Sequence, residues 1–185
     1  TAAIIDSLVE SGQIVKADTL EEIAENKAGI IKPSCQAVVT APQKPSVIRI
    51  LQEKTEECGC QIRIAHPEKA KVKRELMDGQ IFSYEEYEDI HLNLIGRYQI
   101  DNAVTVLEAV KALNENGAVI PEDAVRAGFA KVIWQGRFQV LEREPLMIAD
   151  GAHNQDAAFR LAENVRTYLA GRRIIGVMGV FKDKE

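Results

Sequence analysis

Apolar positions along the chain follow first a helical and then an alternating period, and each change of period marks a change of element. Asp18-Thr19-Leu20-Glu21-Glu22 has the form of a helix start, with Asp or Thr as the cap and Glu in the first turn. That helix runs through Ile23, Ala24 and Lys27 and stops at Gly29. After Ile30-Ile31-Lys32-Pro33 comes a short apolar strand, Ala37 to Thr40. A second helix starts at Pro45, with Ile48, Leu51, Thr55 and Cys58 on one face, and Gly59 ends it. Gln61 to Ala65 alternates as the next strand. This strand–helix–strand unit predicts parallel strands.

The period then shortens. Lys71 to Met77, the turn pair Asp78-Gly79, and Gln80 to Tyr84 predict a β-hairpin. His91 to Ile95 alternates as a third strand of the meander, and Gly96 ends it. A third helix is predicted from Asp101 to Asn114, with Ala103, Val106, Leu107, Val110 and Leu113 on one face. Pro121-Glu122-Asp123 opens a shorter helix with Val125 and Phe129 four apart. Phe138 to Leu141 and Leu146 to Ala149 read as strands of a second strand–helix–strand unit. Its helix carries Ala158, Leu161, Ala162, Val165 and Leu169, and Arg173 to Phe181 reads as a final buried strand. Trp134 to Arg137 is the junction between two α/β units, which divides the chain into 1–134 and 138–185.

Composition narrows the function classes. The chain has 185 residues, is 46% hydrophobic and 28% charged, and carries a net charge of −5 with both signs interspersed. That suits one large soluble domain or two small ones, and it argues against a nucleic-acid surface or a polybasic membrane anchor. No apolar run is long enough to span a bilayer, and the first residues lack the form of a signal peptide, so a cytoplasmic location is expected. The first residue is Thr, not Met, and the last five directly follow an apolar segment. The chain is therefore expected to be part of a larger protein. Its three cysteines, Cys35, Cys58 and Cys60, fit a reducing compartment better than a disulfide framework. A lone C-x-C with no suitably spaced His is a poor zinc site.

Candidate chemistry concentrates in Leu146 to Asn154. A buried strand there delivers Asp150, Gly151, His153 and Asn154 to its end, just before a helix, where open parallel sheets bind ligands. Asp150 could accept a ribose hydroxyl, and His153 with nearby backbone N–H groups could face phosphate. An equally weighted reading is that Asp150 and Asn154 only make a tight turn and cap the helix. Gln135-Gly136-Arg137 sets an always-charged guanidinium beside a flexible glycine, a natural phosphate contact, although an Arg more often pairs with a surface acid. Gln99 and Asn102 lie at a helix start, where capping or base-edge contact would both suit an amide.

These motifs, in this order, resemble the folylpolyglutamate synthase/dihydrofolate synthase family of Mur-type ATP-dependent ligases. Thr19 to Pro33 is similar to T-x-x-x-I-A-x-x-K-A-G-I-I-K-P, and Leu94 to Ala103 to L-x-G-x-H-Q-x-x-N-A. Trp134 to Arg137 is similar to W-P-G-R, Asp150 to Asn154 to D-G-A-H-N-P, and Gly176 to Lys184 to the G-x-x-x-D-K-D loop. The resemblance implies an α/β fold. It would be part of a Mur-ligase central domain, with a mostly parallel sheet and a small antiparallel meander, followed by the start of a Rossmann-like C-terminal domain. It further implies that ATP activates a folate carboxylate as an acyl phosphate, which glutamate then converts to an amide, with Mg²⁺ as counter-charge. Lys27 matches a lysine that becomes carbamylated and helps hold a metal. Gln99 and Asn102 match adenine-side amides, Arg137 and His153 residues near the phosphates, and Asp150 a ribose or hinge aspartate. Asp183 and Lys184 match a loop facing the site. The partners implied are folate, glutamate and ATP, with neither nucleic acid nor membrane.

The departures are specific. No G-x-x-x-x-G-K-[ST] phosphate loop occurs in these residues, Gly12 stands where the family has a metal-binding His, and Ala17 replaces a Gly. Tyr98 replaces a His, and Gln155 a Pro. The 185-residue chain alone is therefore expected neither to hydrolyse ATP nor to add glutamate. Two alternatives stand beside this reading: another Mur-type amide ligase, and a degenerate module that kept the sheet without the chemistry.

Overall fold

A computed structural model describes residues 2–5 and 19–179. The chain gathers into two compact units, one built from residues up to Ala70 with Asp101–Val125, the other from Lys71–Ile100 with residues from Arg126 onward. Gly12, Ala17, Asp183 and Lys184 lie outside the described residues.

In the first unit Thr19 caps helix α1 (Leu20–Ala28) reciprocally. Its side chain accepts the Glu22 N–H, and the Glu22 carboxylate accepts the Thr19 N–H. This capping box satisfies two N–H groups that the first turn would otherwise leave unpaired. Strand β2 (Ala37–Thr40) pairs in parallel with β3 (Gln61–Ile64) across helix α2 (Pro45–Cys58), as predicted. Gly59 closes α2 in the left-handed conformation, at φ 68°. A further strand, β1 (Ala2–Ile5), pairs in parallel on the other side of β2, so β2 is central and the order is β1-β2-β3. Sequence reading assigned no strand there.

All four residues of β2 are buried because helices cover both of its faces. Val38 packs with Leu20, Ala24, Ile31, Val47 and Leu51 from the α1 and α2 side. Ala37 and Val39 pack instead against Ala109 and Ala112 of helix α3 (Arg97–Glu115). Alternation of side chains along a strand thus feeds two apolar layers. On α2 the wholly buried positions are Val47, Leu51 and Thr55, with Ile48 only half-buried.

Helix α3 begins a turn earlier than the predicted Asp101, because the Gln99 N–H donates to the Gly96 carbonyl and opens the first turn. Its buried positions include Ile100, Ala103, Val104, Leu107, Ala109 and Ala112, whereas Val106, expected on the apolar face, is 46% exposed. The helix buries more than one stripe, so a single apolar face describes it poorly. Glu108 is nearly buried on this helix and is held by Arg63 of β3 at 3.4 Å and Lys111 at 3.5 Å. The Arg63 guanidinium also donates to Glu115 at 2.7 Å. Removing one partner of a buried carboxylate costs more than the pair contributes, so Arg63→Ala is expected to lose roughly 1–3 kcal/mol in urea denaturation. A change below about 0.5 kcal/mol, typical of surface sites, would contradict that reading.

In the second unit β4 (Lys71–Leu76), β5 (Gly79–Tyr84) and β6 (Tyr87–Leu92) form the predicted antiparallel meander. The third strand runs from Tyr87 to Leu92, where His91 to Ile95 was expected, so only His91 and Leu92 coincide. The Asn93 N–H leaves the ladder for the Phe129 carbonyl at 3.0 Å, and its amide donates to the Val132 carbonyl at 3.1 Å. Phe82 of β5 meets Phe129 of helix α4 (Glu122–Lys131) edge to face, with ring centroids 6.4 Å apart. Strands β7 (Gln139–Arg143) and β8 (Leu146–Ala149) pair antiparallel as a hairpin, followed by helix α5 (Gln155–Tyr168).

The final strand is not formed over the described part of its range. Residues 173–179 have no regular structure, and Ile175, Val177 and Met178 are 82%, 98% and 85% exposed. An apolar run becomes a buried strand only where another strand offers a ladder. Among the described residues none pairs with it, and β8 is hydrogen-bonded only to β7.

Candidate functional site

The predicted site residues divide between the units. Lys27 and Asn102 belong to the first, and Gln99, Arg137, Asp150 and His153 to the second. Lys27 is exposed in the last turn of α1, and Asn102 is half-buried on α3.

The second unit brings Arg137, Asp150 and His153 together by stitching two loops, while Gln99 stands apart on α3. The Asp150 carboxylate leaves the end of β8 and accepts two backbone N–H groups, from Phe138 at 2.8 Å and from Ala152 at 2.8 Å. Beside it the Gly151 N–H donates to the Gly136 carbonyl at 2.7 Å, and a side chain on Gly151 would press on that same oxygen at 3.2 Å. The Gly136 N–H is taken by the Gln139 amide oxygen at 3.0 Å. Gly136 and Phe138 both have positive φ, 69° and 44°, so the Arg137 loop is a tight turn that Asp150 holds from outside. Asn154 caps α5, its side chain accepting the Ala157 N–H at 2.9 Å. Asp150 and Asn154 therefore have the turn-making and capping roles weighed above. Each Asp150 oxygen accepts one backbone hydrogen bond in this clamp and keeps a second lone pair.

The clamp sets Arg137 and His153 on adjoining backbone segments. His153 is exposed, and its Nδ1 lies 2.9 Å from the Gly151 carbonyl. A carbonyl only accepts, so Nδ1 carries a proton and Nε2 faces outward. Arg137 lies over the Trp134 ring, with its guanidinium carbon 5.6 Å from the centroid. It also lines a cleft of about 270 Å³ with Trp134, Arg143, Asn93 and Ile95; none of the other predicted site residues lines it.

Tyr98, at the position where the resembling family has His, joins these groups. Burial pushes its phenol above the usual tyrosine range, and the Asp150 carboxylate adds to the effect. The Gln99 and Asn164 side chains and the Arg137 charge act in the opposite direction and offset part of that rise. Gln99 and Asn164 are buried, at 1% and 3% exposure. The loop that delivers Tyr98 is fixed by Gln80, whose buried amide donates to the carbonyls of Leu94 at 2.9 Å and Gly96 at 3.0 Å. Gln80 and Asn164 carry no local signal in the sequence, and Trp134 is named only within the Trp134–Arg137 motif, without a role of its own.

The Tyr98 phenol gives a pH prediction with a definite sign. A group whose pKa is raised on folding contributes stability that is present below its unfolded value and lost as pH rises above it. Burial raises Tyr168 in the same direction. Unfolding free energy is therefore expected to fall once pH exceeds about 10, where phenols of the unfolded chain ionise first. Tyr98→Phe should flatten that fall, measured by denaturation alongside a phenolate absorbance titration. An equally steep fall in the variant would remove Tyr98 from the account.

Comparison with known proteins places this geometry in a class. Residues 136–185, which hold the stitched loops and α5, match the family profile described as Mur ligase, glutamate ligase domain. The dihydrofolate synthase/folylpolyglutamate synthase of Bacillus subtilis is 34% identical over 187 aligned positions, covering 98% of this chain and 43% of that protein. The Mycobacterium tuberculosis protein of the same name is 34% identical, covering 88% of this chain and 36% of its own length. A solved folylpolyglutamate synthase–AMPPCP complex superposes with a TM-score of 0.82 at 26% identity, covering 94% of this chain and 44% of that one. The Mycobacterium tuberculosis folylpolyglutamate synthase complexed with ADP and AMPPCP gives 0.73 at 31% identity, with 89% and 38% covered. The chain belongs to the folylpolyglutamate synthase/dihydrofolate synthase family of Mur-type ligases, and it spans 43% of the Bacillus subtilis relative's length.

Proposed function

We propose that this chain carries nucleotide-positioning residues of an ATP-dependent ligase that adds glutamate to folate. The observation that carries the reading is the clamp made by Asp150 and Gly151, which holds Arg137 and His153 on adjoining loops. Relatives solved with AMPPCP, and with ADP and AMPPCP, support a nucleotide as the ligand.

In this reading Arg137 and His153 face phosphate oxygens, Gln99 and Asn102 take the base side, and the free lone pairs of Asp150 accept from ribose. The Asp150 clamp holds the two loops in place before the ligand arrives. In the reaction proposed for the whole enzyme, a folate carboxylate oxygen attacks the γ-phosphorus of ATP and displaces ADP. The glutamate amine then attacks the acyl carbon of the resulting acyl phosphate. Phosphate leaves, the amine loses a proton, and an amide remains. A boundary between a central domain, 1–134, and a glutamate-ligase domain, 138–185, belongs to the same proposal, as does a cytoplasmic location. Among the described residues no helix is long and apolar enough to cross a membrane.

Mg²⁺ does not fit the described residues by themselves, because no group of three or more His, Cys, Asp or Glu side chains among them could hold a metal ion. A carbamylated Lys27 would add one anionic oxygen group, fewer than the six donors of a Mg²⁺ shell.

Calorimetric titration with AMPPCP tests the reading. Arg137→Ala and Asn102→Ala are each expected to weaken binding about tenfold, the equivalent of one charge-assisted contact or one well-placed amide. Unchanged affinity in both variants, or no binding by the unaltered chain, favours the degenerate module instead.

A further inference from the structure

All three cysteines of the chain meet at one corner of the first unit, although Cys35 lies more than twenty residues from the Cys58-Gly59-Cys60 turn. Cys35 precedes β2, Cys58 is the last residue of α2, and Cys60 precedes β3. Cys35 is a buried member of the α1–α2 core, and Cys58 and Cys60 pack against that same cluster. Two of the sulfurs address the backbone of one residue. The Lys32 N–H donates to the Cys35 sulfur at 3.4 Å, and the Cys60 thiol donates to the Lys32 carbonyl at 3.5 Å. Burial pushes the Cys60 thiol above its ordinary range, and the neighbouring Cys35 and Cys58 add to that. Cys58 points elsewhere, toward the Ile31 carbonyl at 3.7 Å.

We propose that Cys35 and Cys60 form an oxidisable dithiol, a disulfide site whose oxidant is a low-molecular-weight disulfide such as oxidised glutathione. Cys60 is half-buried and Cys35 buried, so Cys60 reacts first. Its thiolate attacks one sulfur of the glutathione disulfide, breaks that S–S bond and releases one glutathione thiolate, which takes up a proton. Cys35 then loses its proton and attacks the Cys60 sulfur of the mixed disulfide, releasing the second glutathione. Two protein thiols are oxidised to one disulfide, and one glutathione disulfide is reduced to two thiols. Cys58 and Cys60 are the less favourable pair, being separated by Gly59 alone and held with the Cys58 sulfur turned to Ile31. The new bond would tie the turn after Ile30-Ile31-Lys32-Pro33, the segment that follows Lys27, to the start of β3. Neither the pairing nor the oxidant depends on the ligase reading.

Reduced chain is equilibrated with oxidised glutathione at graded ratios to the reduced form. It is then quenched with iodoacetamide and digested without reductant for mass spectrometry. The expected result is loss of two of the three titratable thiols and a cross-linked peptide pair containing Cys35 and Cys60. Cys58→Ser should leave that product in place, whereas Cys35→Ser should stop the reaction at a stable glutathione adduct on Cys60. A Cys58–Cys60 link, a glutathione adduct that never closes in the unaltered chain, or three thiols that persist at every ratio would each overturn the proposal. So would stoichiometric retention of Zn²⁺ by the reduced chain that is lost in Cys58→Ser, since the corner would then be a metal site.

Discussion

Gly96→Ala is expected to destabilise the second unit by about 2–5 kcal/mol, which in a marginally stable chain amounts to loss of the folded state at ordinary temperature. Two independent costs act at this position. Gly96 has φ +105°, a conformation that L side chains rarely adopt. A Cβ there would also stand 2.6 Å from Asn164 Oδ1 and 2.7 Å from Tyr98 Cε1. Asn164 is nearly buried on α5 and cannot swing into solvent, and the Gly96 carbonyl is pinned by the Gln80 amide at 3.0 Å. The neighbours therefore cannot easily yield. Urea denaturation of Gly96→Ala, with Gly117→Ala as a control, separates the two costs. Gly117 has φ +91° but nothing within 4 Å of its Cβ, so it carries the strain without the overlap. If both substitutions cost the same, the Asn164 contact contributes nothing.

Asp150→Ala is the second large effect, and it couples stability to the site. The substitution strips acceptors from the Phe138 and Ala152 N–H groups together, at about 1–3 kcal/mol for each donor left without a partner. It also frees the loop carrying Arg137 from the loop carrying His153, so nucleotide affinity should fall even in molecules that remain folded. Asp150→Asn distinguishes clamp from charge. An amide has one acceptor oxygen where the carboxylate has two, so it can satisfy one of the two N–H groups and turns its own NH₂ toward the other. The expected order of stability is wild type, then Asn, then Ala. Asn equal to wild type would mean that the clamp needs only one of its two hydrogen bonds.

Much of this architecture was legible in the sequence because it is written in local patterns. The unit β2-α2-β3 follows from an apolar tetrad, a Pro-started helix and a glycine stop, and the meander from alternation around Asp78-Gly79. The Asp150–Asn154 motif pointed to the loop that the structure stitches to Gly136 and Phe138. What escaped is non-local. That β6 ends at Leu92 depends on Asn93 finding carbonyls on and beside α4, at Phe129 and Val132. The buried company of Tyr98 depends on Asn164, one α5 position among several polar ones until the helix packs. The failed strand at 173–179 has the other cause, since its apolar pattern is strand-like but a ladder needs a partner. The cysteine corner could not be read from spacing either, because two separate turns of the fold, before β2 and before β3, have to assemble it.

The claim that this chain positions a nucleotide is tested most directly by amide chemical-shift mapping of the isotopically labelled chain during titration with AMPPCP. The account predicts saturable shifts that concentrate at Gln99, Asn102, Arg137 and Gly151 to Asn154, and that are lost from the Arg137 and His153 loops in Asp150→Ala. Shifts scattered over surface lysines and arginines, or an unchanged spectrum at saturating nucleotide, would contradict it.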